Sequence, residues 1–206
     1  MTHPATWGAL VVLLVVLLVA VRYAVQLATR LDRLHLRIVS TRDALDALAV
    51  RRAAQARMLA DSGCLDGEAA RLLGERAAQC LRGDDARFVD DALGDRDRKE
   101  PRAGDAQRAV AARNERESAL SRAIREALDP GTRDRLDADG SAEVLVEALD
   151  MASYRLQVAR SMHNLDVSQV RRLREHPWVR LLHLYGRAPA PDTIDFDDAT
   201  TPTVGV

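Results

Sequence analysis

Between Gly8 and Ser62 the chain contains neither proline nor glycine. Those are the two residues that interrupt helices, costing about 1 kcal/mol (Gly) and about 3 kcal/mol (Pro) relative to alanine in a helix interior. The interval is therefore expected to form one continuous helix ending at Ser62-Gly63. At 1.5 Å per residue, roughly 57 residues would make a rod about 85 Å long. Such a rod cannot be stabilised by helix propensity alone and must bury its apolar face along its length.

The rod has two parts of different composition. Trp7 to Val21 is apolar without a break, and the pattern resumes beyond Arg22 with Tyr23, Ala24 and Val25. Ala5 to Val25 matches the ~20 residues that cross a hydrocarbon core. Trp7 and Tyr23 bracket the run as interfacial aromatic residues do, and Arg22 can snorkel to the headgroups. A cleaved signal peptide would carry bases ahead of the apolar run, where MTHPAT supplies only His3. The bases follow it instead, at Arg22, Arg30, Arg33 and Arg37. The positive-inside rule then places the N-terminus outside and the rest in the cytoplasm at the cell membrane. Residues 1–26 are read as a single-pass anchor. Arg30, Arg33 and Arg37 stand within a few turns of it, where anionic lipid would attract each by about 1 kcal/mol; topology alone also accounts for them.

From Leu27 the apolar positions are Leu27, Leu31, Leu34, Ile38, Leu45 and Leu48, with Thr41 the polar exception, an alternation of four and three that defines a heptad seam. A second uninterrupted segment begins after Asp139-Gly140-Ser141, with Ser141 as N-cap, and runs to the residue before Pro177. It repeats the spacing at Leu145, Leu149, Ala152, Leu156 and Ala159. Leu31, Leu34 and Ile38 are expected to face Leu156, Ala159 and the turns after them. Two less regular helices lie between, from about Asp66 to Leu93 with a break at Gly83-Asp84, and from about Ala106 to Leu128, ending at Asp129-Pro130-Gly131. The charged, turn-rich stretch Gly94 to Asp105 connects them.

The fold class is therefore all-α: an N-terminal transmembrane helix continuous with an antiparallel four-helix bundle over residues 27–187. Beyond it lies an acidic tail, 188–206, without fixed structure except around Ile194 and Phe196. The formal net charge of -1 conceals this segregation, because every charge after Arg187 is an Asp.

HPWVRLLHLYGR (His176 to Arg187) concentrates aromatic residues in a chain with 2 Trp, 3 Tyr and 2 Phe. Pro177 suits the first position of a short helix and Gly186 its C-terminal cap, with Trp178, Leu181, Leu182 and Tyr185 on one face. This facet is expected at the membrane-proximal end, packed on the stem around Arg22 to Leu31 or dipping into the interface.

Chemistry is less well represented. Asp137-Ala-Asp139-Gly140-Ser141 lacks the first and twelfth ligands of a calcium loop, since Arg135 and Val146 stand there. The five histidines never take a zinc-site spacing, and no P-loop, dinucleotide fingerprint or nucleophile elbow occurs. The acid pairs, Asp197-Asp198 among them, read as solvated carboxylates. Cys64 and Cys80 read as reduced, partly buried thiols. No enzyme, cofactor, metal, small-molecule substrate or nucleic-acid partner is expected, the last because the basic helix has no aromatic interleaving.

Two stretches resemble the LemA family of bacterial membrane-anchored helical proteins. One is the anchor running into TRLDRLHLRIVSTRDALDALAVRRAA, with Arg51-Arg52 at the family's paired basic position. The other is RLQVARSMHNLDV followed by HPW, where Arg155, Arg160 and Asn164 match the family's pattern and Pro177 its closing proline. Ala54, Gln55 and Ala56 stand where the family commonly has Asp, Pro and Asn, and His163 replaces a tyrosine. The resemblance, over roughly residues 7 to 60 and 142 to 196, implies antiparallel long helices behind an N-out anchor, and no particular reaction. It makes Arg51, Arg52, Arg155, Arg160 and Asn164, beside Trp178, Leu181, Leu182 and Tyr185, the candidate partner or packing surface. The expected role is a noncatalytic membrane-anchored scaffold that binds an unidentified protein. The alternative is a bitopic coiled-coil protein of the envelope or division machinery, using the Leu27 to Leu48 seam between chains.

Overall fold

The computed structural model of the chain describes residues 4–82, 88–89, 103–185 and 190–199, and every regular element among them is an α-helix. The helix α1 (Pro4–Asp61) is unbroken, as the missing breakers require. It stops where the sequence changes: the Ser62 hydroxyl and N–H both donate to the Leu59 carbonyl, at 2.7 and 3.3 Å. Gly63 follows with φ 79°, a left-handed conformation that carries no steric cost without a Cβ.

The helix α2 (Gly67–Leu81) accounts for only the first part of the expected 66–93 helix. Gly83 and Asp84, the expected break, lie outside the described residues, and Phe88 and Val89 are buried but not helical. In α3 (Ala103–Ala127) the helix starts slightly earlier than its spacing suggests; residues 94–102 of the charged connection lie outside the described residues. Asp129-Pro130-Gly131 both ends α3 and starts α4 (Pro130–Asp137), a helix not expected from the sequence. Asp129 is an N-cap, its carboxylate accepting from the Thr132 N–H at 3.1 Å and hydroxyl at 3.0 Å, with Pro130 just inside the helix. In α5 (Gly140–Glu175) the Asp139 carbonyl receives the Ala142 and Glu143 N–H groups at 2.9 Å. The side chain of Ser141, the expected cap, lies outside the described residues. The short α6 (Pro177–Leu181) follows directly.

Three clusters of buried side chains lie along α1. The distal one joins Ala53, Ala56 and Leu59 to Leu73 of α2, Leu120 and Ile124 of α3, Leu136 of α4, and Val146 and Leu149 of α5. In the middle, Leu45 and Ala49 meet Leu156, together with Phe88, Val89, Ile194 and Phe196 from outside the helices. Nearest the apolar N-terminal part, Leu31 and Ile38 meet Val167 and Val170, with Leu34, Leu173 and Tyr185 half-buried around them. Leu31 and Ile38 thus contact α5 about three turns past Leu156 and Ala159, in the later turns that the expectation also included. The stretch of α1 from Leu27 onward and α5 are nearly equal in length, so alignment along their whole length carries Leu31 past the middle of α5.

Stepping seven residues along α1 gives Leu31, Ile38, Leu45, Arg52 and Leu59, each no more than 1% exposed. The same step along α5 gives Ala142, Leu149, Leu156, His163 and Val170, each 0% exposed. Both seams keep one heptad position throughout, and each contains one polar member. Upstream of Leu27 the pattern ends. The large side chains from Trp7 to Val25 are exposed, and this stretch is long and apolar enough to cross a membrane.

Candidate functional site

The structure separates the sequence-nominated residues into three places. Arg52 is not part of a surface: it is buried in the α1 seam and reaches α3. Its Nη1 donates to Ser121 Oγ at 2.9 Å, while Nη2 donates to the Glu117 side chain at 2.7 Å and the Glu117 carbonyl at 3.2 Å. A guanidinium and a carboxylate both removed from water require this density of bonding, because an unpaired charge there would cost several kcal/mol. Its neighbour Arg51 is exposed, and Arg155 is exposed on α5. Arg37, for which lipid attraction and topology are both open readings of the sequence, bonds the buried Asp166 of α5 at 3.0 Å.

Arg160 and Asn164 form the second place, a groove that holds residues 190–199. The sequence predicts fixed structure in the tail only around Ile194 and Phe196, and that is where this segment lies; Asp198, read as a solvated carboxylate, is instead buried. This segment is extended, and Ile194, Phe196 and Asp198 all point inward at alternate positions while Asp195 points out, the period-two pattern of an extended chain. An extended chain cannot satisfy its own main-chain groups, so neighbouring side chains do so. The Asn164 amide pairs with Ile194 twice: Nδ2 donates to its carbonyl and Oδ1 accepts from its N–H, both at 2.9 Å. Arg171 Nε donates to the Pro191 carbonyl at 3.1 Å, His163 Nε2 lies 3.3 Å from the Asp192 carbonyl, and Ser118 Oγ accepts from the Asp197 N–H at 3.0 Å.

The side chains of the segment are held as specifically as its backbone. Arg160 binds Asp198 through Nε and Nη2 at 2.7 and 2.9 Å, and Arg125 binds Asp197 through both Nη atoms at 2.6 and 3.1 Å. Arg125 also bonds the Ala199 carbonyl. The Arg125 hydrogen bonds hold the Asp197 carboxyl below the usual carboxylate range. Phe196 stacks on Phe88 with ring centroids 5.3 Å apart, and Arg113 lies 4.0 Å over the Phe88 ring. The acids of the tail could be counted from the sequence, but their partners are dozens of residues away. Stepping seven residues through each seam would have revealed Arg52 and His163 as buried.

The third place is the end where α6 meets α1. The His176 and Tyr23 ring centroids lie 6.2 Å apart, at the C-terminal end of the exposed apolar stretch. The expected facet is divided. Trp178, Leu181 and Leu182 are exposed, whereas Val179 is buried and Tyr185 half-buried beneath Arg174, 4.4 Å from its ring. A shared face through Tyr185 needs a longer helix. This one ends at Leu181, with His183 at φ 47° and bonds from His183 N–H to the Arg180 carbonyl and from Leu184 N–H to the Val179 carbonyl. Gly186, the expected cap, lies outside the described residues. Trp7, Arg22 and Tyr23 are all exposed along α1.

Both cysteines are free and half-buried. Burial, with the Glu117 charge adding to it, pushes the Cys80 thiol up to about 12, so it stays protonated and unreactive. The chain matches no protein-family model, no curated protein and no solved structure.

Proposed function

We propose that this chain is a single-pass membrane protein, N-terminus outside, whose cytoplasmic part is an antiparallel four-helix bundle of the LemA type. In this reading it is a noncatalytic, partner-binding scaffold at the inner face of a bacterial membrane. The observation that carries the proposal is the change within α1 near Leu27: large apolar side chains exposed up to Val25, then a seam buried against α5. Exposure of that many apolar side chains to water is untenable, whereas lipid is their natural solvent. The three clusters along α1 and α5 support the antiparallel pairing. The seam is already filled within one chain, which favours the bundle over an interchain coiled coil.

The α6 end supports the same orientation. Exposed Trp178, Leu181 and Leu182 follow His176, which stands against Tyr23, and Arg172 and Arg180 are exposed in the same stretch, a composition suited to an anionic interface. Partner binding is supported by the outer face of α5, where Val144, Met151, Tyr154, Met162 and Leu165 form an exposed stripe at helical spacing beside Arg155.

Cytoplasmic and periplasmic reporters fused after Val206 test the topology. Activity of the cytoplasmic reporter alone is expected, and a cleaved, secreted product would overturn the reading. With Trp7→Phe, Trp178 becomes the sole indole, and quenching by lipids brominated near the headgroup is expected. A red-shifted, unquenched signal would place α6 away from the bilayer. Crosslinking in native membranes, with Arg155→Glu as control, tests the α5 face.

A further inference from the structure

Residues 190–199 sit in their groove as a ligand sits in a receptor. Side chains of α3 and α5 grip their main chain, which is a sequence-tolerant way to hold any extended peptide. Selectivity comes from elsewhere: buried sites for Ile194 and Phe196, two residues apart, and two arginine forks for the consecutive carboxylates of Asp197 and Asp198. Arg125, Arg160 and Arg171 oppose Asp197, Asp198 and Asp192, so the groove and its occupant are complementary in charge.

We propose that this groove is a docking site for an extended acidic segment of a partner protein, with two large apolar residues at alternate positions followed by paired carboxylates. Residues 190–199 are its resident occupant and must leave for the partner to enter. The proposal rests on the partner-binding reading above and specifies the partner's chemistry. Recognition of this kind combines main-chain hydrogen bonds for affinity with alternate side-chain pockets for choice. Tethering gives the resident segment a high effective concentration, of order mM for a short connection, so an intact chain resists intruders and a disarmed one accepts them.

The test is fluorescence anisotropy of a fluorescein-labelled peptide, APDTIDFDDA, titrated with the full-length chain in detergent micelles. Two chains are compared, the native one and one disarmed by Phe196→Ser with Asp198→Asn. The disarmed chain is expected to bind the peptide at least about tenfold more tightly than the native chain. Adding Asn164→Ala to the disarmed chain should weaken binding about tenfold, and a scrambled peptide of the same composition should not bind. A disarmed chain that keeps its helical circular dichroism yet binds nothing, or binds both peptides equally, overturns the proposal. So does a disarmed chain that unfolds, since the segment is then a fixed part of the core; a chain ending at Arg187 repeats that check. A native particle that doubles in mass with concentration, and a disarmed one that does not, would assign the groove to a second copy instead. None of these failures alters the reporter or quenching results, so the membrane reading stands or falls separately.

Discussion

The distal and middle clusters of the helical body use the same two seams and are completed in different ways. Distally, α1 and α5 are closed over by α2, α3 and α4, helix against helix, and the buried Arg52 is met by the buried Glu117 and Ser121 of a neighbouring helix. In the middle, the same seams are closed by Phe88, Val89, Ile194 and Phe196, none of them in a helix. The distal cluster therefore fails only if helices separate, whereas part of the middle cluster can be removed by lifting one segment. If the proposed exchange holds, the distal cluster is the fixed one and the middle cluster the exchangeable one.

Arg52→Ala probes that difference most strongly. It leaves Glu117 buried without its main partner and should cost about 3–5 kcal/mol in chemical denaturation. Arg52→Met combined with Glu117→Leu should recover most of that loss, since a packed apolar pair avoids the desolvation of both charges. A single substitution costing under about 1 kcal/mol would show that the distal end is not the anchor of stability. Phe196→Ala should cost less than the roughly 3–5 kcal/mol typical of a buried phenylalanine, because the segment can release instead of unfolding the body. Hydrogen exchange should then accelerate at the Ile194 and Asp197 amides, bonded to Asn164 and Ser118, and stay unchanged in distal α1. Equal acceleration in both regions would erase the distinction.

Acid should separate the middle and distal regions in the same direction. Asp197 has a carboxyl pKa lowered on folding, chiefly by Arg125, so its contribution is present above its unfolded value near ~3.9 and is lost as pH falls through the lowered value. Exchange at Ile194 should therefore rise below about pH 4, relative to its intrinsic rate, before distal amides respond. The smallest effect concerns the turn after α6. His183 adopts the left-handed conformation where glycine is favoured, and His183→Gly should stabilise that end by roughly 0.5–1 kcal/mol without altering peptide binding.

What was legible in the sequence is what depends on neighbours. The absence of Pro and Gly up to Ser62 specified α1, Gly63 its end, and Pro177 the start of α6. The four-three spacing located both seams, but counting it through to Arg52 and His163 required accepting a polar residue in an apolar row. The groove was not legible because it is made by pairings between distant residues: Arg160 with Asp198, Arg125 with Asp197, Asn164 with the Ile194 backbone. An acidic tail with few apolar residues gives no periodicity over which to recognise its alternate inward positions. Arg160 and Asn164 were singled out by resemblance alone, and the structure supplies the contacts they make.

The unbroken α1 has a mechanical consequence. With no glycine or proline between Ala9 and Asp61 and the helix continuous throughout, α1 offers no hinge at which the helical body can pivot relative to the proposed membrane span. The span and the body form a single lever. From Leu27 to Asp61 the arm beyond the proposed span is about 50 Å long at 1.5 Å per residue. A tilt of about 20°, ordinary for a transmembrane helix, would sweep its far end sideways by about 17 Å. Bilayer thickness would then set how far from the membrane surface the distal helices stand, and so which neighbours they can reach.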